Sequence, residues 1–316
     1  MQVHGLHHVT AVTADAPGNL DFYTRILGLR LVKKTVNQDD TSAYHLFYAD
    51  KLGSPGTDMT FFDWPLIGTQ EHGTDSIAET LFRVNGRAAL DYWITRFAAY
   101  DVPHSGLEQW AGFSMLRFRD PEGQHLALVD DQGAAVEGEV WDGADVPVEF
   151  AIRGFWGVTL SVPNLQRYEP IFSTLMNWHK VSSSNTTIDA RPDVLYAMDE
   201  GGPGRFVRVV DEGRANRAIL GAGGVHHVAF RVTDDAEQKD WMDRLSELGV
   251  PHSGLVNRFY FRSLYFRISN GILFELATDG PGFTADEPLE TLGQNLSLPP
   301  FLEPQREQIE AGLKPL

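Results

Sequence analysis

The chain has 316 residues, 42% hydrophobic and 22% charged, a balance that fits a folded globular protein and, by length, two domains. Its net charge of −17 argues against nucleic acid or an anionic membrane surface as a partner. The absence of cysteine removes disulfides, thiolate metal sites and a cysteine nucleophile. Met1–Gly5 shows no basic segment leading into an apolar one, and no apolar run reaches membrane length; a soluble, cytoplasmic protein is expected.

In chain order, the first expected strand is Leu6-His7-His8-Val9-Thr10, an apolar, β-branched run carrying a histidine pair. A helix near Pro17–Leu27 and a last strand near Met59–Phe62 complete a segment spanning 4–64. The next segment, 77–131, has a strand at Ile77–Val84, a helix at about Ala88–Tyr100 and a Val102-Pro103-His104-Ser105-Gly106 turn. It ends in Gln124–Val129 after the turn Asp120-Pro121-Glu122-Gly123. The acidic, glycine-containing stretch Asp130–Asp145 reads as a linker. A third segment, 152–212, opens on Gly154–Leu160, continues with a helix near Leu165–Met176 and closes near Arg205–Val210. The fourth, 225–279, opens on Val225-His226-His227-Val228-Ala229 and has a helix at about Ala236–Leu248, with Trp241, Leu245 and Leu248 at helical spacing. After a Ser269-Asn270-Gly271 turn it ends in Ile272–Ala277, which contains Glu275. A short helix, Glu303–Leu313, follows a Pro-Pro stop.

These segments are copies of one unit. Val102–Leu107 recurs as Val250–Leu255, an offset of 148, and Phe82-Arg83-Val84, Phe118-Arg119 and Leu128 recur at the same offset. Each unit reads βαβββ. The first and third are weaker copies, aligned through their Val-Thr pairs, which places Gly157 opposite His8. Two histidines and one carboxylate suit a single divalent ion with open positions, a donor set used by iron(II) for oxygen chemistry. The repeat shows how many such sites to expect. The copy of His227 is Glu79 and the copy of Glu275 is Ala127; with Gly157, a second site would keep one carboxylate, so one metal is expected. Strand alternation allows only one histidine of each pair to face inward, without saying which. Thr10 shares the face of His8, and the apolar Phe274 and Leu276 put Glu275 on the face away from the helices.

Four βαβββ modules with metal-binding residues on first and last strands resemble the vicinal oxygen chelate superfamily, which includes glyoxalase I, extradiol dioxygenases and antibiotic-resistance proteins. The His7–Thr10 start, His226-His227, Asn257-Arg258, Tyr265, the Glu275 strand, and a tail of Leu298–Glu303 with Arg306 and Ile309-Glu310 are most similar to its hydroquinone ring-cleaving dioxygenases.

That resemblance implies an α+β fold: two domains of cup-shaped, barrel-like mixed sheets with helices outside, at 1–131 and 151–279, joined by a linker at 132–150 and followed by a tail at 280–316. It implies a non-haem iron(II), extradiol-type dioxygenase that opens a substituted hydroquinone or related catechol with O2. His8, His227 and Glu275 would hold the metal, a donor set that also accepts manganese, zinc or nickel. His7, Thr10, His226 and Arg258 would lie in the outer sphere with Tyr265 nearby; His226 is the acid–base candidate because an ordinary imidazole titrates near neutrality. The expected partners are a small aromatic substrate and O2, and a homo-oligomer is in keeping with the superfamily. Two other readings stay open. A glyoxalase-like metal-dependent isomerase or lyase needs a fourth protein ligand, which only Asp63 could supply, and only in the other register; a ligand-sequestering resistance protein is usually a shorter, two-module chain.

Overall fold

The computed structural model describes residues 1–184, 191–269 and 271–316; Asn270 of the expected turn lies outside them. The first module runs β1 (Leu6–Thr13), α1 (Ala16–Asp21), β2 (Arg30–Asn37), β3 (Asp40–Ala49) and β4 (Asp58–Asp63). The second is β5 (Ser76–Val84), α2 (Gly86–Ala99), β6 (His104–Trp110), β7 (Phe113–Arg119) and β8 (His125–Asp130). The third is β9 (Phe155–Val162), α3 (Leu165–Pro170), β10 (His179–Ser184), β11 (Asp193–Ala197) and β12 (Phe206–Asp211). The fourth is β13 (Val225–Val232), α4 (Asp235–Glu247), β14 (His252–Asn257), β15 (Arg262–Ile268) and β16 (Ile272–Thr278), and the tail ends in α5 (Arg306–Gly312). The weaker copies share a detail that confirms their kinship: α1 and α3 each pass into a π-helical turn, Phe22–Ile26 and Ile171–Leu175.

The fold is α+β, with two mixed eight-stranded sheets. One has the order β14-β15-β16-β13-β1-β4-β3-β2, the other β10-β11-β12-β9-β5-β8-β7-β6. Each sheet therefore joins a module of the first half to one of the second: one with four, and two with three. Both are open, with their first and last strands as edges. One main apolar cluster spans both sheets and the helices, with Val9, Phe61, Phe230 and Phe274 from the first sheet, Phe82, Val158 and Leu160 from the second, and Trp93 and Trp241 from α2 and α4. The opposite face of each sheet carries its own smaller cluster, around Phe47 and Phe261 in one and Trp156 and Phe206 in the other.

The strand alternation expected at the histidine pairs does not hold. The β1–β13 register shifts between Leu6 and His8 and again between Thr10 and Ala11, where the β13 partners step from His227 to Val225. Each shift is a β-bulge, in which two consecutive residues oppose one and the pleat no longer separates their side chains. One bulge falls on His7-His8 and the other on His226-His227. The β5–β9 pair shifts at the same places, Ile77/Glu79 and Leu81/Phe82, so the bulge belongs to the module.

The repeated Pro-His-Ser-Gly segment is also not a turn. His104 and His252 begin β6 and β14, each with a one-residue register shift before Leu107 or Leu255. Gly106 and Gly254 adopt φ of +77° and +72°, which glycine tolerates without a Cβ penalty. Side chains fill the irregularity alike in both copies. Gly106 N–H donates to His104 Nδ1 at 3.1 Å and Gly254 N–H to His252 Nδ1 at 3.0 Å. Ser105 and Ser253 accept from the backbones of Arg117 and Tyr265.

The tail straps the β2 edge of the first sheet. Leu296 bridges to Lys34, and Leu298, Leu302 and Ile309 pack on Val36. Lys33, fully buried, pairs with Asp286 at 2.7 Å and with Glu287, while Tyr260 donates to the same Asp286.

Candidate metal centre

Three adjacent strands at the middle of the first sheet bring the chemistry together. His8 faces Ala229 across the β1–β13 pair, Ala229 neighbours Glu275 on β16, and His227 faces Thr10. His8 Nε2 lies 3.2 Å from Glu275 Oε2, His227 Nε2 lies 3.0 Å from it, and the two Nε2 atoms are 3.3 Å apart. Glu275 is fully buried, yet neither of its oxygens accepts a hydrogen bond.

The neighbouring histidines fix which nitrogen carries a proton. The carbonyl of Thr278 can only accept, so His7 donates to it through Nε2, at 3.1 Å, leaving Nδ1 as an acceptor. His8 Nδ1, 2.9 Å from His7 Nδ1, must then be the donor, so a neutral His8 carries its lone pair on Nε2. His226 and His227 share the same Nδ1–Nδ1 contact, at 2.7 Å. Nδ1 of His227 donating to His226 is the arrangement that matches His8; three electron-rich groups then converge in a buried space. An isolated buried carboxylate costs several kcal/mol, so this arrangement calls for a cation. Separations of 3.0–3.3 Å are on the scale of adjacent positions around a divalent ion with bonds of about 2.1 Å. The residues thus fit a metal ion. They form the only such group of three among the described residues.

Both members of each pair lie on the same side of the sheet: the His7 and His8 rings sit 5.2 and 5.0 Å from the Phe261 ring, and the His226 and His227 rings 5.5 and 6.4 Å from the Phe62 ring. His7 and His226 are pushed down to about 3, chiefly by burial and then by the neighbouring His8 or His227, and are neutral near pH 7. Tyr265, beside Glu275 in register, is raised by burial and by that carboxylate. Arg258 donates through Nε to the Tyr265 hydroxyl at 3.3 Å and through its terminal nitrogens to Asp39 at 3.2 and 2.9 Å. Thr10 is joined to Thr60 at 2.8 Å. Asp63 follows Thr60 and Phe62, which face the cup, and is not one of the three converging groups; burial raises its carboxyl, and the charges acting on it are those of Lys314, Glu122 and Asp15.

His45 was not singled out from the sequence. It lines the same cavity as His8 and His227, between Phe47 and Phe62 at ring distances of 4.0 and 4.4 Å. Its Nε2 is 2.9 Å from Thr60 Oγ1, and its Nδ1 has no hydrogen-bond partner among the described residues. Burial, followed by the charges of His8 and His227, pushes it well below the ordinary histidine value. One signal was available: a polar residue, Asp193, occupies the matching position in module three.

Fold and site together define a paired-βαβββ protein with a buried His/His/Glu group able to hold a metal ion. The chain belongs to the Glyoxalase/Bleomycin resistance protein/Dioxygenase superfamily, whose profile matches residues 5–279. It is 45% identical over 316 residues to the "Putative ring-cleaving dioxygenase MhqA" of Bacillus subtilis, covering 100% of both chains. It is 33% identical to the chlorohydroquinone/hydroquinone 1,2-dioxygenase of Sphingobium indicum, covering 98% of this chain and 95% of that one. A crystal structure titled "putative dioxygenase" from Bacillus subtilis superposes with a TM-score of 0.92 at 36% identity, over 100% of this chain and 98% of the other. Maize glyoxalase I, at 13% identity and a TM-score of 0.64 over 87% of this chain and 92% of its own, shares the fold. No helix among the described residues is long and apolar enough to cross a membrane.

Proposed function

We propose that this chain is a non-haem iron(II), extradiol-type dioxygenase that opens a substituted hydroquinone, or a related catechol, with O2. The carrying observation is the convergence of His8 Nε2, His227 Nε2 and Glu275 in a cavity also lined by Phe47, Phe62, Tyr265 and Arg258. The activities named for the Bacillus and Sphingobium relatives support the same class. His8, His227 and Glu275 would hold the metal. Iron(II) there would supply the one-electron chemistry that lets O2 react with a closed-shell ring.

The chain's own groups divide the remaining work. Phe47 and Phe62 flank the ring. His45, neutral by burial, takes the proton of a ring hydroxyl, supported by the His45–Thr60–Thr10 hydrogen bonds. His226 is also neutral near pH 7 and is not the ready acid its ordinary value implies. Tyr265 keeps its proton and, with Arg258 Nε on its oxygen, donates its O–H into the cavity. Arg258 offsets negative charge on a phenolate oxygen. His7 and His226 hold the His8 and His227 rings in the orientation and tautomer a metal needs.

The direct test is anaerobic loading with iron(II), then O2 uptake with methyl- or chlorohydroquinone, expected at one O2 per ring opened. No uptake with any hydroquinone or catechol overturns the assignment. Parallel loading with manganese, zinc and nickel checks the metal, because affinity alone does not favour iron.

A further inference from the structure

The cup is narrow. The space at the metal group is about 40 Å³. That admits water, whereas a cavity holding benzene measures about 150 Å³. Two loops from opposite edges of one sheet meet over it. The turn between β2 and β3 carries Gln38 and Asp39, and the connection between β14 and β15 carries Arg258. Gln38 Nε2–H donates to the Arg258 carbonyl at 2.8 Å. Both terminal nitrogens of Arg258 hold the two Asp39 oxygens. Asp39 is 72% exposed and Arg258 21%, so the pair runs from solvent to the cavity wall, where Arg258 reaches Tyr265.

We infer that Asp39 is the gate and a specificity-determining residue of this cup: a ring enters when the Asp39–Arg258 pair opens, and Asp39 tunes the site to uncharged rings by neutralising the guanidinium that an anionic ring substituent would seek. This inference rests on the hydroquinone reading above. A bidentate arginine–carboxylate pair is the strong form of the interaction, but at this exposure it is screened, so it opens readily. A carboxylated ring meets an arginine already occupied and an aspartate that repels it. A neutral hydroquinone pays no such penalty, and its hydroxyl meets Arg258 after entry.

The experiment is anaerobic titration of the iron(II)-loaded full chain with hydroquinone and with 2,5-dihydroxybenzoate, in wild type, Asp39→Asn and Asp39→Glu. Wild type is expected to prefer hydroquinone. Asp39→Asn is expected to shift the ratio of the two dissociation constants at least tenfold toward the carboxylated ring, and Asp39→Glu to restore the preference. In stopped-flow mixing, salt should speed hydroquinone entry into wild type but not into Asp39→Asn. If wild type binds hydroquinone and Asp39→Asn leaves the ratio within twofold, the gate is overturned and the hydroquinone reading stands. If wild type binds neither ring, both fall together.

Discussion

The two sheets make two cups from one backbone plan, and they have opposite electrostatics. In the first, His8, His227 and Glu275 turn lone pairs toward one point. In the second, the same positions hold Gly157, Glu79 and Ala127. The surrounding positions changed with them. Arg117 pairs in register with Ala127 as Tyr265 does with Glu275, and Arg208 stands opposite Thr159 as Thr60 does opposite Thr10. The acids of the second cup meet arginines: Glu79 lies 3.0 Å from Arg117 and Asp193 lies 2.7 Å from Arg208, while Glu212 pairs with Arg191. The second cup carries its cations on its own chain; in the first, the function proposed above has the cation come from solution.

The largest expected contrast is in metal content. Glu275→Ala or His227→Ala should take the loaded protein from one ion per chain to none, measured by elemental analysis after dialysis. Glu79→Gln should keep the ion and lose stability instead, by roughly 2–3 kcal/mol in chemical denaturation, because Arg117 loses its charged contact with Glu79 and keeps that with Glu108 at 3.3 Å. Metal loss from Glu79→Gln would break the distinction between the cups.

Grafting the ligand set tests whether the backbones are equivalent. A Cβ on Gly157 would stand 2.4 Å from the Phe206 carbonyl oxygen, closer than real structures allow. Gly157→Ala should therefore cost about 1–3 kcal/mol, read from the denaturation midpoint. The triple change Gly157→His, Glu79→His, Ala127→Glu should not add a second ion. A stoichiometry of two would show that side chains alone separate the cups.

Much of this was legible in the sequence, for reasons that also mark where it stopped. The offset of 148 aligned β5 with β13 and β8 with β16, so the missing ligands of the second cup could be read by subtraction. The apolar neighbours Phe274 and Leu276 placed Glu275 correctly because β16 is regular; both sit in the main core. Alternation failed at His7-His8 and His226-His227 because bulges there break the period of two, and a bulge arises from cross-strand pairing that no local run encodes. A repeat tells which modules are alike but not which share a sheet, and module one pairs with module four. His45 and the Asp39–Arg258 contact were hidden because each depends on strands or loops far apart in the chain.

A smaller effect concerns the histidines that touch no ion. Loss of His7 removes the acceptor for His8 Nδ1 and frees the Thr278 carbonyl, with the metal ligands intact. His7→Ala should weaken metal binding about 10–100-fold, measured by competition with a chelator. His7→Gln, which keeps an acceptor near His8, should recover part of it. The reverse order would mean that packing against Phe261, and not the tautomer, is what His7 supplies.

The smallest expected effect is the pH dependence of the metal-free protein, which compares the cups through one histidine each. His7 is pushed down to about 3, first by burial and then by His8; His125 in the second cup is pushed down to about 4, first by burial and then by His72. Unfolded histidines titrate near 6.5, so between these values the unfolded chain binds the extra proton. Stability is thus complete above about pH 6.5 and falls as pH drops toward the folded values, by at most about 1.4 kcal/mol per pH unit for each group. Denaturation at pH 7, 6 and 5 should show the decline. His7→Gln should flatten it by on the order of 1 kcal/mol per unit. His125→Asn should flatten it less, because His125 is partly exposed and its charge is screened. Equal flattening by both would mean that the two cups desolvate their histidines alike, and that the metal cup owes its character to lone-pair geometry alone.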